Sequence, residues 1–388
     1  MHALPALREC DPGRLSKSGR QEAGVTLPFM LFMSKQIAQI QKNLPPRTAA
    51  LVASPVSRRR LTGFDSSDGL LFVTPGTSLF LTDSRYIEAA RAQITACPVE
   101  ELKDADKQLR ALCKEHRVKR LFVETESSTL AQAKRLRKYL PGVWIEARDS
   151  RVDKHLRSLR MHKISFEVDC IRRAQAIAEQ AFGHMLGFIK PGMSEREIAL
   201  ELDYAMLRDG AQAVSFETIV VAGENGSKPH GVPGGRPVQQ GDLLTLDFGA
   251  VVDGYHSDMT RTIAIGEPDE EQRKIYDIVL EAQQAALAKL APGVPCKEID
   301  AAARSVIENA GYGEHFRHGT GHGVGLEIHE APSLSRKSKD VLAAGMVVTV
   351  EPGIYLPGKC GVRIEDMALI TETGYENLTR TGKEMIVL

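Results

Sequence analysis

Apolar positions along the first third of the chain come in short runs separated by polar, helix-period stretches. Ala50–Ala53, Leu70–Val73, Ser78–Leu81, Leu121–Val123 and Val143–Ile145 read as strands, and residues 85–94, 103–117 and 128–139 read as helices between them. Strands alternating with helices imply an α/β layer. The charged stretch Arg148–His155 reads as a linker or as the start of a connecting helix. Ahead of the first strand, Ser34 reads as the N-cap of a helix, because its hydroxyl can accept from a first-turn N–H. Residues 1–32 show neither periodicity nor caps, and the segment 1–33 reads as a disordered extension or a misassigned start, with Met33 as the true one.

The remainder, from about residue 158, repeats itself. Pro191-Gly192 recurs as Pro292-Gly293, Glu197-Ile198 as Glu298-Ile299, and Gly210 as Gly311, all at an offset of 101. Each Pro-Gly lies between two helical stretches, 162–188 and 195–208 in the first copy and 270–290 and 297–309 in the second. Asp247-Phe-Gly249 returns as Glu351-Pro-Gly353 at offset 104, and His230-Gly-Val-Pro233 as His329-Glu-Ala-Pro332 at offset 99. Two helices followed by β-hairpins, twice, predict an α+β domain with an internal pseudo-twofold axis that brings Asp247 and Glu351 to equivalent places.

Composition narrows the class. The 388 residues carry 50 Lys plus Arg against 50 Asp plus Glu, a balance that argues against a polyanion partner such as nucleic acid. Six scattered cysteines form no C-x-x-C, which favours reduced thiols and a cytoplasmic setting over a disulfide framework. No apolar run approaches the roughly 20 residues of a membrane helix, so no membrane partner is expected.

The chemistry concentrates in three places. Residues 243–258 read as a hairpin turning at Asp253-Gly254. That register pairs Asp247 with Thr260 and makes Asp258 its diagonal neighbour on the same face, where side chains can share an ion. Val347–Glu351 and Val362–Glu365 each end an apolar strand in a carboxylate, and a charge buried there needs a partner or a metal. His318, His322 and His329 fall within twelve residues interleaved with glycines, which let backbone approach a ligand closely. The Gly-x-Gly-x-Gly among them lacks the preceding strand and following helix of a dinucleotide loop. Four carboxylates with a histidine form a hard donor set suited to two divalent ions, Mn²⁺, Co²⁺, Zn²⁺ or Fe²⁺. Such ions activate one water and polarise a carbonyl, so hydrolysis of an amide is expected.

The ordered set Asp247, Asp258, His322, Glu351 and Glu365 resembles the dinuclear metallopeptidases of the pita-bread fold, which include methionine aminopeptidase, aminopeptidase P and prolidase. His318–Gly325, Glu351-Pro-Gly and Gly361–Asp366 resemble the proline-specific branch, and Ser54–Phe64 with Leu81–Tyr86 resemble that branch's smaller N-terminal domain. The resemblance covers residues 34–388 and implies a creatinase-like N-terminal domain over 34–150 and a pita-bread catalytic domain over 155–388. It implies that Asp247 chelates one metal, Asp258 and Glu365 bridge both, and His322 with Glu351 complete the second, with Mn²⁺ as the first choice. Glu351 would also be the general base. His230 and His329 would flank the scissile bond, His318 would line the pocket for the residue after it, and Arg363 would support the metal-binding carboxylates. The implied activity is Xaa-Pro aminopeptidase, with Xaa-Pro dipeptidase (prolidase) as the alternative, on peptides or dipeptides with proline second, in a homodimer. Methionine aminopeptidase and a non-enzymatic creatinase-fold binding module rank below these, the latter because all five ligand positions are filled.

Overall fold

A computed structural model describes residues 27–388, with side chains from Met33 onward. The expectation of a disordered extension or misassigned start lies outside the described residues, except over residues 27–33. There helix α1 (Leu27–Asn43) is already under way, which corrects the reading of Ser34 as an N-cap. Pro28 falls in the first turn, where a missing N–H costs nothing, so the helix can begin ahead of Ser34.

Six strands form the first sheet: β1 (Thr48–Val52), β2 (Leu70–Val73), β3 (Ser78–Thr82), β4 (Val99–Glu101), β5 (Arg120–Val123) and β6 (Trp144–Glu146), in the order β4-β3-β2-β1-β5-β6. β1 pairs antiparallel with β2 and parallel with β5. The period-2 pattern of β1 divides its side chains between two cores. Ala50 and Val52 face α1, α2 (Pro55–Thr62), α3 (Ile87–Gln93) and α6 (Arg151–Met161), whereas Ala49 and Leu51 face α4 (Ala105–Glu115) and α5 (Leu130–Tyr139). Helix α6 contributes Val152, Leu156 and Leu159 to the first of these cores, so the charged stretch Arg148–His155 leads directly into a helix. Two elements escape the hydrophobic pattern. β4 has only three residues. Helix α2 carries three successive arginines, and its ends are set by Ser54, which caps Ser57 N–H, and by Gly63 at φ 72°.

The second region carries two copies of one unit. In the first, α7 (Ser165–Phe188) and α8 (Glu195–Arg208) pack on β7 (Ala213–Val214), β8 (Ile219–Ala222), β9 (Leu243–Phe248), β10 (Ala250–Val252), β11 (Tyr255–His256) and β12 (Met259–Ala264). In the second, α9 (Glu270–Leu287) and α10 (Cys296–Asn309) pack on β13 (Gly321–Gly323), β14 (Glu330–Leu334), β15 (Val347–Val350), β16 (Gly353–Leu356), β17 (Cys360–Arg363), β18 (Asp366–Ile370) and β19 (Tyr375–Asn377). The repeat extends to individual hydrogen bonds. Gly192 N–H donates to Val238 O and Gly293 N–H to Leu342 O, at 2.7 and 2.8 Å. Both glycines adopt left-handed φ, 93° and 87°, which only glycine reaches freely. The halves meet along β12 and the 363–365 segment, where Glu365 N–H donates to Thr260 O at 3.1 Å and Thr262 Oγ1 to Arg363 O at 3.0 Å. Among the described residues, no helix is long and apolar enough to cross a membrane.

Candidate metal centre

The β9–β12 hairpin has the register read from the sequence, with Asp247 opposite Thr260. Val251 opposite His256 continues that register around a turn at Asp253 and Gly254, both at positive φ. Asp258 therefore stands across from Gly249, where a Cβ would run into the Ser257 carbonyl. The bare glycine lets the strands close while the Asp258 carboxylate reaches inward. In the second half, His322 N–H donates to Thr349 Oγ1 at 3.1 Å and Glu351 N–H to Thr320 O at 2.8 Å, which sets His322 and Glu351 side by side. Glu365 follows β17 and accepts from Thr260 Oγ1 at 2.7 Å. The nine side chains singled out in the sequence, His230, Asp247, Asp258, His318, His322, His329, Glu351, Arg363 and Glu365, all line one cavity of about 540 Å³.

The cluster at its base has too much negative charge for a buried place. Asp258 and Glu365 are 4% and 2% exposed. Burial first, and then the facing carboxylates, push both well above the ordinary range: Glu365, Asp247 and Glu351 act on Asp258, and Glu351 and Asp247 on Glu365. Burial raises Glu351 as well. Asp247 Oδ1 and Glu365 Oε1 are buried with no hydrogen-bond partner among the described residues. His322 Nδ1 lies 3.1 Å from the Gly323 carbonyl, which can only accept, so the proton sits on Nδ1 and Nε2 presents a bare lone pair. Burial lowers the His322 pKa, favouring that neutral form. Its Nε2 lies 3.5 Å from Asp258 Oδ2 and 3.4 Å from Glu351 Oε1, longer than a hydrogen bond, and donor atoms of Asp258, His322 and Glu365 fall within 4.8 Å of one another. Orphaned carboxylate oxygens converging with a neutral imidazole nitrogen fit a divalent cation, whose charge supplies what the protein lacks there.

Supporting residues surround this cluster. Arg363 Nη2 donates to Asp247 Oδ2 at 2.5 Å, Nε to Thr260 Oγ1 at 3.1 Å and Nη1 to Tyr355 OH at 2.9 Å. Since Tyr355 OH accepts there, its proton is free for His318 Nε2 at 2.9 Å, while His318 Nδ1 donates to Gly319 O at 2.8 Å. The relay Arg363–Tyr355–His318 keeps His318 neutral, the direction in which burial also moves it. On α10, Arg304 holds the carbonyls of Phe316 and His318 and Asp300 holds Thr320, fixing the segment that leads to His322. His230 and His329 are exposed at the cavity wall, and the His329 ring meets the His322 ring edge-on at 4.3 Å. Nothing in the sequence marks Tyr355, Asp300 or Arg304 for the site, and Thr260 is marked only by its register with Asp247, not as the donor to Glu365. Tyr355 sits in an apolar strand, and an Asp–Arg pair at i, i+4 on a helix looks like any surface ion pair.

Known proteins resemble this chain in sequence and fold. Residues 169–372 match Metallopeptidase family M24, and residues 47–162 match the Creatinase/Prolidase N-terminal domain. A Xaa-Pro dipeptidase of Pyrococcus horikoshii is 39% identical over 325 residues, 82% of this chain and 88% of that one. Among solved structures, a Xaa-Pro dipeptidase from Bacillus anthracis superposes with a TM-score of 0.87 at 37% identity, covering 92% of this chain and all of the other. An X-Pro aminopeptidase from Thermotoga maritima gives 0.82 at 35%, covering 90% of this chain and all of the other. The architecture is thus a creatinase-type N-terminal domain followed by a pita-bread catalytic domain.

Proposed function

The chain belongs to metallopeptidase family M24 and is a metalloexopeptidase, and from that premise we propose that it is a Xaa-Pro dipeptidase, a prolidase, working with two divalent ions, Mn²⁺ first among them. The observation that carries the reading is that four carboxylates and His322 line one cavity, with Asp258, Glu365 and His322 Nε2 converging at its base, in a chain whose similar proteins include Xaa-Pro dipeptidases. The sequence put aminopeptidase first and dipeptidase second. The similarities support the reverse order, and the X-Pro aminopeptidase structure keeps the other as the second reading.

Asp247, Asp258, His322, Glu351 and Glu365 would hold the ions, with Asp258 and Glu365 shared between them. Bound there, the ions supply Lewis-acid polarisation of the scissile carbonyl and a water that loses its proton near neutral pH. Glu351, buried beside His322, would be the general base for the attacking water. Arg363 fixes Asp247 through one oxygen and leaves Oδ1 free. His230 and His329 reach the scissile bond from the cavity wall, and neutral His318 faces the residue after it. We propose residues 34–150 as the creatinase-like unit and 155–388 as the catalytic unit, joined through α6, in a cytoplasmic homodimer. The five described cysteines are buried and free, which supports a reducing setting.

The test is chain length. Metal-stripped protein reloaded with Mn²⁺ is expected to cleave Ala-Pro, with Ala-Pro-Ala slower by about 10²-fold; equal or preferred cleavage of the tripeptide makes it an aminopeptidase. The relay yields a second expectation. Tyr355→Phe leaves an Arg363 N–H and His318 Nε2 without their partner, and lowers kcat/KM on Ala-Pro by about tenfold. Metal content measured on the same sample stays unchanged, since no proposed ligand is touched.

A further inference from the structure

The loop that carries His329 is tied down on both sides by the connector between the two domains. Arg160 Nη1 meets Glu327 Oε2 and Lys163 Nζ meets Glu330 Oε1, each at 2.5 Å. The two pairs share a three-residue spacing on both segments and bracket His329. The Lys163 and Glu330 side chains are 1% and 2% exposed, so this pair is buried, and Lys163 N–H also donates to Gly345 O at 2.8 Å. A Cβ on Gly325 would collide with both Glu330 and the Lys163 stem. The connector is in turn held from the N-terminal domain: Arg60 on α2 donates to the carbonyls of Leu159 and His162, and pairs with Glu167 at 3.1 Å. A buried ion pair is poor evidence for stability, since apolar residues of the same volume often serve as well, and its better attested use is to fix one arrangement among several.

We infer that Arg160 and Lys163 are positioning residues that hold His329 at the cavity wall, so that the domain connector sets the geometry of the reaction. The inference rests on the proposed Xaa-Pro hydrolysis for its kinetic readout and on the fold alone for its spectroscopic one. A misplacement of about 1 Å can cost about 10²-fold in rate.

The experiment compares Lys163→Met, Lys163→Arg, His329→Ala and the double variant Lys163→Met/His329→Ala, all loaded with Mn²⁺. Lys163→Met is expected to lower kcat on Ala-Pro by about 10- to 100-fold with KM and metal content little changed, and Lys163→Arg to recover most of the loss. In the His329→Ala background, Lys163→Met should add almost nothing. A full additional loss there, or an unchanged kcat in Lys163→Met, overturns the inference. In metal-free protein, the His329 imidazole resonance, identified by its disappearance in His329→Ala, is expected to shift or broaden in Lys163→Met while that of His318 stays put. If wild type cleaves no Xaa-Pro peptide, the proposed function fails and this spectrum decides alone: an unmoved His329 resonance overturns the positioning role.

Discussion

Replacing Asp258 by asparagine is expected to lower Ala-Pro hydrolysis by about 10³-fold or more, because the change removes the charge of a proposed shared ligand and several kcal/mol of transition-state stabilisation with it. The shape of the side chain is kept, so the hairpin around Gly249 survives and the loss reports on charge. In the metal-free protein the same substitution has the opposite effect on stability. Asp258 is 4% exposed and faces the Glu365, Asp247 and Glu351 carboxylates, so an uncharged amide there relieves desolvation and repulsion together. The variant is therefore expected to unfold at a higher temperature than wild type when both are stripped, and at a lower one when both are given Mn²⁺. Steady-state kinetics and thermal unfolding with and without metal check both halves. A variant that keeps most of its activity would remove Asp258 from the reaction.

The second large effect is a reversal of pH dependence on metal loading. Asp258 and Glu365 have folded pKa values raised well above their ordinary 3.8 and 4.5. A carboxyl that binds its proton more tightly when folded favours the native state as pH falls through the raised value, and that gain is complete below the ordinary one. Between those limits each such group contributes a slope of up to about 1.4 kcal/mol per pH unit. Stripped wild type should thus gain stability relative to stripped Asp258→Asn on acidification from neutral pH. With metal bound the sign inverts, since protons compete for the same oxygens and affinity falls with pH. Parallel pH profiles for stripped wild type and stripped variant would contradict this.

The sequence carried the parts of this picture that depend on local register or on repetition. Asp247, Thr260 and Asp258 follow from the Asp253-Gly254 turn because side-chain direction in a strand has period two. The two glycines at 192 and 293 announce themselves because both copies of the unit need left-handed backbone at the same point. Other contacts were illegible for a common reason: their partners are distant in sequence. Nothing in the apolar run 353–356 says that Tyr355 OH lies between Arg363 and His318, and Thr260 reads as an ordinary strand residue until Glu365, 105 positions on, lies against it. Helix α2 hid behind three arginines that are charged in the sequence but, at Arg58 and Arg60, 1% and 2% exposed in the fold. Ser34 misled because an N-cap residue type also occurs inside helices.

Peptide length belongs to the same class. The five proposed ligands and the three cavity-wall histidines suit a dipeptidase and an aminopeptidase equally, since both cut the same bond. The two differ in whether the cavity has room for chain beyond the proline, which the ligand set does not encode.

Asp247, Asp258, His322, Glu351 and Glu365 are proposed to hold a pair of divalent ions. Counting Mn²⁺ bound per chain, after metal-stripped protein is saturated and the excess removed, tests that proposal most directly. Two ions are expected in wild type, with loss of both sites together in Asp258→Asn, because that carboxylate is proposed to serve both. One ion or none in wild type, or a variant that still retains two, would contradict the proposal.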